Sequence, residues 1–243
     1  MVKSKKILFL GLTHIGQVYA KSWVNNIGKC AVFDFNRFQL IKFKNKNFTE
    51  EEPNLKKLKN KNNLYFLKTD QDIKNFDNIF FTYDTPLSKK NAKPNLTIIR
   101  KNLKKVYSLN FKKKVNLFIT SQVYPGFTDK IISTYKNKMI NTIYFVDTLK
   151  MGKAKNSFLH PNQMIFGSNH DCKKIVKDIF YKFKCKKYFF NIKEAELIKI
   201  SINLYLFFSV SFANIMDDMS KKNNINFFKI INILKNDKRI GKN

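Results

Sequence analysis

Arginine is nearly missing from this chain: Arg37, Arg100 and Arg239 stand among 47 basic residues. The guanidinium is the side chain that reads phosphates and bases bidentately, so its scarcity argues against a dedicated nucleic-acid binder. The net charge of +30 pulls the other way, since a basic surface favours polyanions. The lysines, however, run along the whole length beside abundant Asn, Ile and Phe, which a general compositional bias explains more simply than a binding patch. A lysine-rich nucleic-acid binder is kept as the alternative that charge alone motivates.

Paired cysteines are also lacking. Cys30, Cys172 and Cys185 sit at unrelated spacings with no CxxC, and no secretory segment accompanies them. They read as reduced thiols of a cytoplasmic protein. The opening MVKSKKILFLGLTHIG imitates a signal peptide, but its apolar run, 7–10, ends at Gly11 and is shorter than a signal core of about 7–15 residues. The longest apolar stretch, LYLFFSVSFANIM (204–216), falls short of the roughly 20 residues a membrane span requires. We expect a helix covered by protein there, and no membrane association. No internal repeat or low-complexity linker divides the chain.

What is present is a rhythm of short apolar runs separated by helix-length polar segments. KILFLGL (6–12), CAVFDF (30–35), NLYFLKT (63–69), DNIFFTY (77–83), VNLFITS (115–121) and NTIYFVDT (141–148) read as strands, and 14–25 as a helix following the first. Near-continuous apolar strands separated by helical segments predict an α/β fold, a parallel sheet buried on both faces by crossover helices. The pattern changes near residue 191. Ala195, Ile198, Ile202, Tyr205 and Phe208 recur at helical spacing over 193–223, and Glu194 and Glu196 near its start suit the positive end of a helix dipole. A second helical stretch covers 226–234. The expected division is 1–190 for the α/β domain and 191–243 for the start of a helical domain.

The turn after the first strand is Gly11-Leu12-Thr13-His14-Ile15-Gly16. A dinucleotide site needs a glycine for the tight turn, free amides at a helix start for the pyrophosphate, and a small residue where helix meets strand. Gly11 and Gly16 fill the first and third roles, while Thr13 stands where a second glycine is usual. Asp34 ends the second strand, 18 residues after Gly16. A carboxylate there accepts hydrogen bonds from ribose hydroxyls and repels a 2′-phosphate, which favours NAD over NADP.

Several segments, in order, resemble the UDP-glucose/GDP-mannose dehydrogenase family: KILFLGLTHIGQVYA; EEPNL (51–55); FTYDTPL (81–87); SQVYPGFTDKI (121–131); VDTLKMGKA and HPNQMIFG within 146–167; EAELIKISINLYLFFSVSFANIMDDM (194–219); and NDKRIG (236–241). The resemblance implies a Rossmann-like NAD-binding domain, a long apolar helix opening a dimerisation domain, and a homodimer through 196–216. It implies oxidation of the C6 alcohol of a nucleotide sugar to a carboxylate, with two NAD used in succession. Lys199 and Asn203 fall on the pair that stabilises charge on the substrate oxygen, and an i,i+4 pair does share a helix face. Asp147 falls on the catalytic glutamate, Gln122 on the active-site threonine, Met151 on a second glutamate and Gln163 on an arginine. Gln122 with Thr85 and Pro86 belongs to the cofactor loops; Thr148 and Leu149 flank the substrate; Arg239 matches an arginine that reaches a neighbouring subunit's substrate. The family's Gly-Gly-x-Cys segment, source of the thiolate for the second oxidation, has no counterpart before Asn243. The expectations are therefore a truncated chain, one piece of a split enzyme with a separate C-terminal piece, or a non-catalytic NAD-binding, dimerising remnant. No metal site is expected.

Overall fold

The computed structural model describes residues 6–45, 52, 61–88, 90–91, 93–237 and 240. Its contacts divide it into two units, one ending at Lys199 and one beginning at Ile200. The first is built on eight strands: β1 (Ile7–Leu10), β2 (Cys30–Phe33), β3 (Leu64–Phe66), β4 (Asn78–Phe81), β5 (Val115–Ile119), β6 (Ile140–Phe145), β7 (Gln163–Gly167) and β8 (Lys186–Phe190). Among the described residues six α-helices join them: α1 (His14–Asn26), α2 (Arg37–Lys44), α3 (Thr97–Tyr107), α4 (Phe127–Tyr135), α5 (Ala154–Leu159) and α6 (Lys173–Ile179). Strand order is β3-β2-β1-β4-β5-β6-β7-β8.

The expected parallel sheet forms from β3 to β6, with one departure beyond it. β7 runs antiparallel to β6, and β8 pairs parallel to β7. The central strands β1, β2 and β4 are buried at every residue, as their almost wholly apolar sequences require of a sheet covered on both faces. Aromatic rings fill much of the layer between sheet and helices. Phe80 stacks on Phe118 at 4.6 Å between centroids, and Phe9 packs edge-on to Trp23 of α1 at 5.8 Å. Each such buried ring contributes roughly 1.5–3 kcal/mol of transfer free energy.

Register fixes the functional end. Leu10 pairs with Phe33 on one side and Phe81 on the other, so Gly11, Asp34 and the 82–84 segment leave the sheet together. The order reverses at β1, where successive crossovers diverge, the place at which this architecture forms its ligand crevice beyond the strands' carboxyl ends.

A long helix, α7 (Ile192–Lys222), starts in the first unit. There Glu196 is fully buried, and its carboxylate accepts the Gly126 and Thr128 amides at 2.6 and 2.9 Å, capping α4. The second unit continues α7 and adds α8 (Phe227–Asn236), whose Asn226 cap accepts from the Phe228 amide at 3.0 Å. By length and composition alone α7 is apolar enough to cross a membrane. The cover expected for its apolar window is not supplied by the described residues: Leu204, Phe207, Phe208 and Phe212 are at least half exposed.

Candidate functional site

Gly11 adopts φ +105°, and a side chain there would strike the Tyr83 ring at 2.7 Å. A Cβ on Gly16 would lie 1.8 Å from the Gly11 carbonyl oxygen. The turn therefore requires glycine at both places, one for conformation and one for helix–strand contact. Thr82, just past β4, donates its hydroxyl to the Gly11 carbonyl at 2.7 Å and fastens the turn to the neighbouring strand.

Asp34 lies against this turn. It is 1% exposed, accepts the Leu12 amide at 2.7 Å and the Asn36 amide at 2.8 Å, and receives the Tyr83 hydroxyl at 3.2 Å. Burial raises its carboxyl above the ordinary range, with the Leu12 and Asn36 amides and Tyr83 opposing. An ionised carboxylate offers about four acceptor positions, and three of them are taken by internal donors. Beside it is a cleft of about 430 Å³ lined by Phe33, Phe35, Arg37, Leu40, Lys68 and Lys105, within the size range of a small-molecule pocket. Sequence reasoning singled out Asp34 but none of these neighbours.

The α1 N-terminus has a feature that the sequence reading missed. The Asp84 carboxylate accepts the His14 amide at 2.8 Å, and the Ile15 amide also bonds to it. Thr13 holds this acid in place: its hydroxyl accepts the Asp84 amide at 2.9 Å and donates to the Thr82 carbonyl at 3.0 Å. Burial raises the Asp84 carboxyl, opposed by the Thr13 hydroxyl and the His14 amide. The His14 ring faces Glu52, with Nε2 3.4 Å from its carboxylate, and Glu52 itself accepts the Gly152 and Ala154 amides at 2.8 and 3.2 Å.

The remaining candidates gather near the crevice. The Thr85 hydroxyl donates to the Gln122 carbonyl at 2.6 Å, joining the two loops expected around a cofactor, and Pro86 is exposed beside it. Asp147 follows β6, is 6% exposed and accepts the Tyr19 hydroxyl at 2.8 Å. Lys199 donates from Nζ to the Asp147 carbonyl. Burial raises the Asp147 carboxyl, with Lys199 opposing, and lowers the Lys199 ammonium, with Asp147 opposing. Asp84 is close enough to push Asp147 up further, which ties the pair to the crevice electrostatically. Thr148 is exposed and Leu149 half-buried alongside. A small cavity of about 20 Å³ borders Tyr19, Asp147 and Leu149, room for about one water. Asn203, one helical turn further along α7, belongs to the second unit. Arg239 lies outside the described residues, as does EEPNL apart from Glu52. Among the described residues no group of three His, Cys, Asp or Glu is placed to hold a metal ion.

A glycine turn at the switch point, an acid just past β2 and a cleft beside it define the class: a Rossmann-type dinucleotide-binding oxidoreductase domain. A sequence profile of the UDP-glucose/GDP-mannose dehydrogenase family, NAD binding domain, matches residues 5–184, and the profile of its central domain matches 193–243. The chain belongs to that family. It is 34% identical over 137 residues to a UDP-glucose 6-dehydrogenase of Campylobacter jejuni, covering 55% of this chain and 34% of that protein. It is 30% identical over 178 residues to the enzyme of that name from Rickettsia prowazekii, covering 71% and 41%. A GDP-mannose dehydrogenase from Pseudomonas aeruginosa superposes with a TM-score of 0.86 at 18% identity, over 96% of this chain and 57% of that one. This chain thus spans well under two thirds of the relatives it matches.

Proposed function

We propose that this chain supplies the NAD-binding and first helical parts of a cytoplasmic dehydrogenase that oxidises the C6 alcohol of a UDP-sugar to the carboxylate. The observation that carries the reading is the pair formed by buried Asp147 and half-buried Lys199, with Asp84 of the glycine-turn region close enough to act on Asp147. When bound, NAD accepts the hydride. The residues that would hold it are the amides of the Gly11–Gly16 turn, Asp34 at the ribose, and the Thr85–Pro86 and Gln122 loops. Gly11, Gly16 and the cleft beside Asp34 fit this cofactor; the Asp84 carboxylate on the pyrophosphate amides must give way to it.

In this reading the Lys199 ammonium, with Asn203 one turn along, stabilises negative charge developing on the substrate oxygen. Asp147 takes a proton as general base; its raised carboxyl pKa moves it towards the working range of such a group. Thr148 and Leu149 offer backbone groups to the substrate, and Arg239 would reach the substrate of a second copy. That copy would dock through 196–216, covering the exposed phenylalanines of α7. The aldehyde-to-acid step calls for a thiolate. Burial raises the thiols of Cys30, Cys172 and Cys185, so none of them is assigned that role.

The test combines this chain with the C-terminal segment of a family UDP-glucose 6-dehydrogenase and follows NADH absorbance with UDP-glucose. NADH formation abolished by Lys199→Met supports the proposal. Equal turnover by wild type and Lys199→Met, or none with any UDP- or GDP-sugar, contradicts it.

A further inference from the structure

We propose that Asp84 is an internal anion that competes with the pyrophosphate of NAD for the N-terminus of α1, so that cofactor binds only as this carboxylate swings out. The inference rests on the cofactor reading above and concerns how that site is governed.

The amides at a helix start carry partial positive charge and lack intrahelical partners, so some acceptor must satisfy them. α1 has no acidic residue in its first turn, and its N-cap, Thr13, makes no side-chain capping bond. Asp84, about 70 residues away in sequence, takes the role: its carboxylate accepts the His14 amide at 2.8 Å and also bonds the Ile15 amide. These are the amides that follow the glycine turn and face the crevice, the position a dinucleotide's pyrophosphate takes in this architecture. One position cannot hold both anions, since a carboxylate beside a pyrophosphate adds like-charge repulsion to the clash.

A second departure supports the same device. Thr13 stands where a glycine would let phosphate approach the backbone. Its hydroxyl accepts the Asp84 amide at 2.9 Å and donates to the Thr82 carbonyl at 3.0 Å. The Asp84 backbone is therefore pinned at the mouth of the crevice, while its carboxylate, bonded by the His14 and Ile15 amides and the Thr13 hydroxyl, can still turn about its side-chain torsions. Rotation about those torsions frees the amides without moving the main chain. The two residues that depart from an open pyrophosphate site are bonded to each other, as parts of one latch would be.

The experiment measures binding of NAD, ADP-ribose and adenosine by calorimetry to the full chain, to Asp84→Ala and to the near-isosteric Asp84→Asn, with thermal melting of each. Asp84→Ala should tighten NAD and ADP-ribose about tenfold, the equivalent of ~1.4 kcal/mol, which is within the range of a lost helix cap. Asp84→Asn should fall between it and wild type. Adenosine, which has no pyrophosphate, should bind all three alike. Without ligand, Asp84→Ala should melt below wild type, and saturating NAD should remove that deficit. Unchanged or weaker NAD binding in both variants, with wild type still binding, overturns the competition alone. An equal gain for adenosine overturns it too, by showing general loosening. No binding of any pyrophosphate ligand to any of the three proteins overturns it together with the cofactor reading.

Discussion

Gly16→Ala isolates the contact on which the cofactor crevice depends. The added Cβ would lie 1.8 Å from the Gly11 carbonyl oxygen, 2.7 Å from Thr82 Oγ1 and 2.9 Å from the Gly11 carbonyl carbon. Ordinary carbon–oxygen contact needs well over 3 Å, and two of the three atoms are backbone, so no side-chain rotation relieves it. α1 must retreat by more than 1 Å along a face on which Val18, Tyr19, Ala20, Trp23 and Val24 are all buried. Overpacking of this kind costs about 1–3 kcal/mol, and a backbone clash this close belongs at the upper end. For a domain of this size ~3 kcal/mol lowers Tm by roughly 6–12 °C. Gly28→Ala is the matched control, because a Cβ there meets nothing within 4 Å, and its effect should stay within about 0.5 kcal/mol. Thermal and urea unfolding followed by circular dichroism read both. If Gly16→Ala melts within about 1 °C of Gly28→Ala, the close approach of α1 to β1 is not a constraint and the reasoning fails.

Other outcomes follow from the same geometry. Glu196→Ala leaves the Gly126 and Thr128 amides without their buried acceptor and should cost about 1–3 kcal/mol in urea unfolding, with Glu196→Gln recovering part of it. Lys21 is buried on α1, and burial pulls its ammonium down to about 7. A lysine with a depressed folded pKa binds its proton more weakly folded than unfolded, so stability rises as pH climbs from about 7 towards the ordinary value near 10.4. Lys21→Met should therefore stabilise most at pH 6–7 and progressively less by pH 10; a gain independent of pH would contradict this. Tyr19→Phe removes the hydroxyl donated to Asp147. It should raise the Asp147 carboxyl further and shift the acidic limb of any pH–rate profile upward, with NAD binding unchanged in calorimetry.

The six strands read from the sequence appear within a few residues of their expected places, because each is a mostly apolar run of the kind a covered sheet demands. β7 and β8 were not read as strands. β8 is KKYFF, with alternate residues exposed at the sheet edge, and it lacks the almost wholly apolar signature of β1 or β4. The antiparallel turn of β7 depends on how 146–162 folds back, which periodicity does not encode. The glycine turn and Asp34 were legible because their spacing is local and mechanical. Asp84 and Tyr19 were not: an acid one residue before Thr85-Pro86 looks like loop polarity, and a tyrosine on an apolar helix face looks like core. Their roles arise from pairings about 70 and 128 residues apart.

The most direct test of the central claim, that the Gly11–Gly16 turn and Asp34 hold NAD, is titration of NAD into the isotope-labelled chain while backbone amide resonances are followed. The account predicts the largest shifts at 12–16 and 33–37, with the His14 and Ile15 amides changing as Asp84 releases them. Shifts clustered elsewhere, or none in wild type and Asp84→Ala alike, would contradict it.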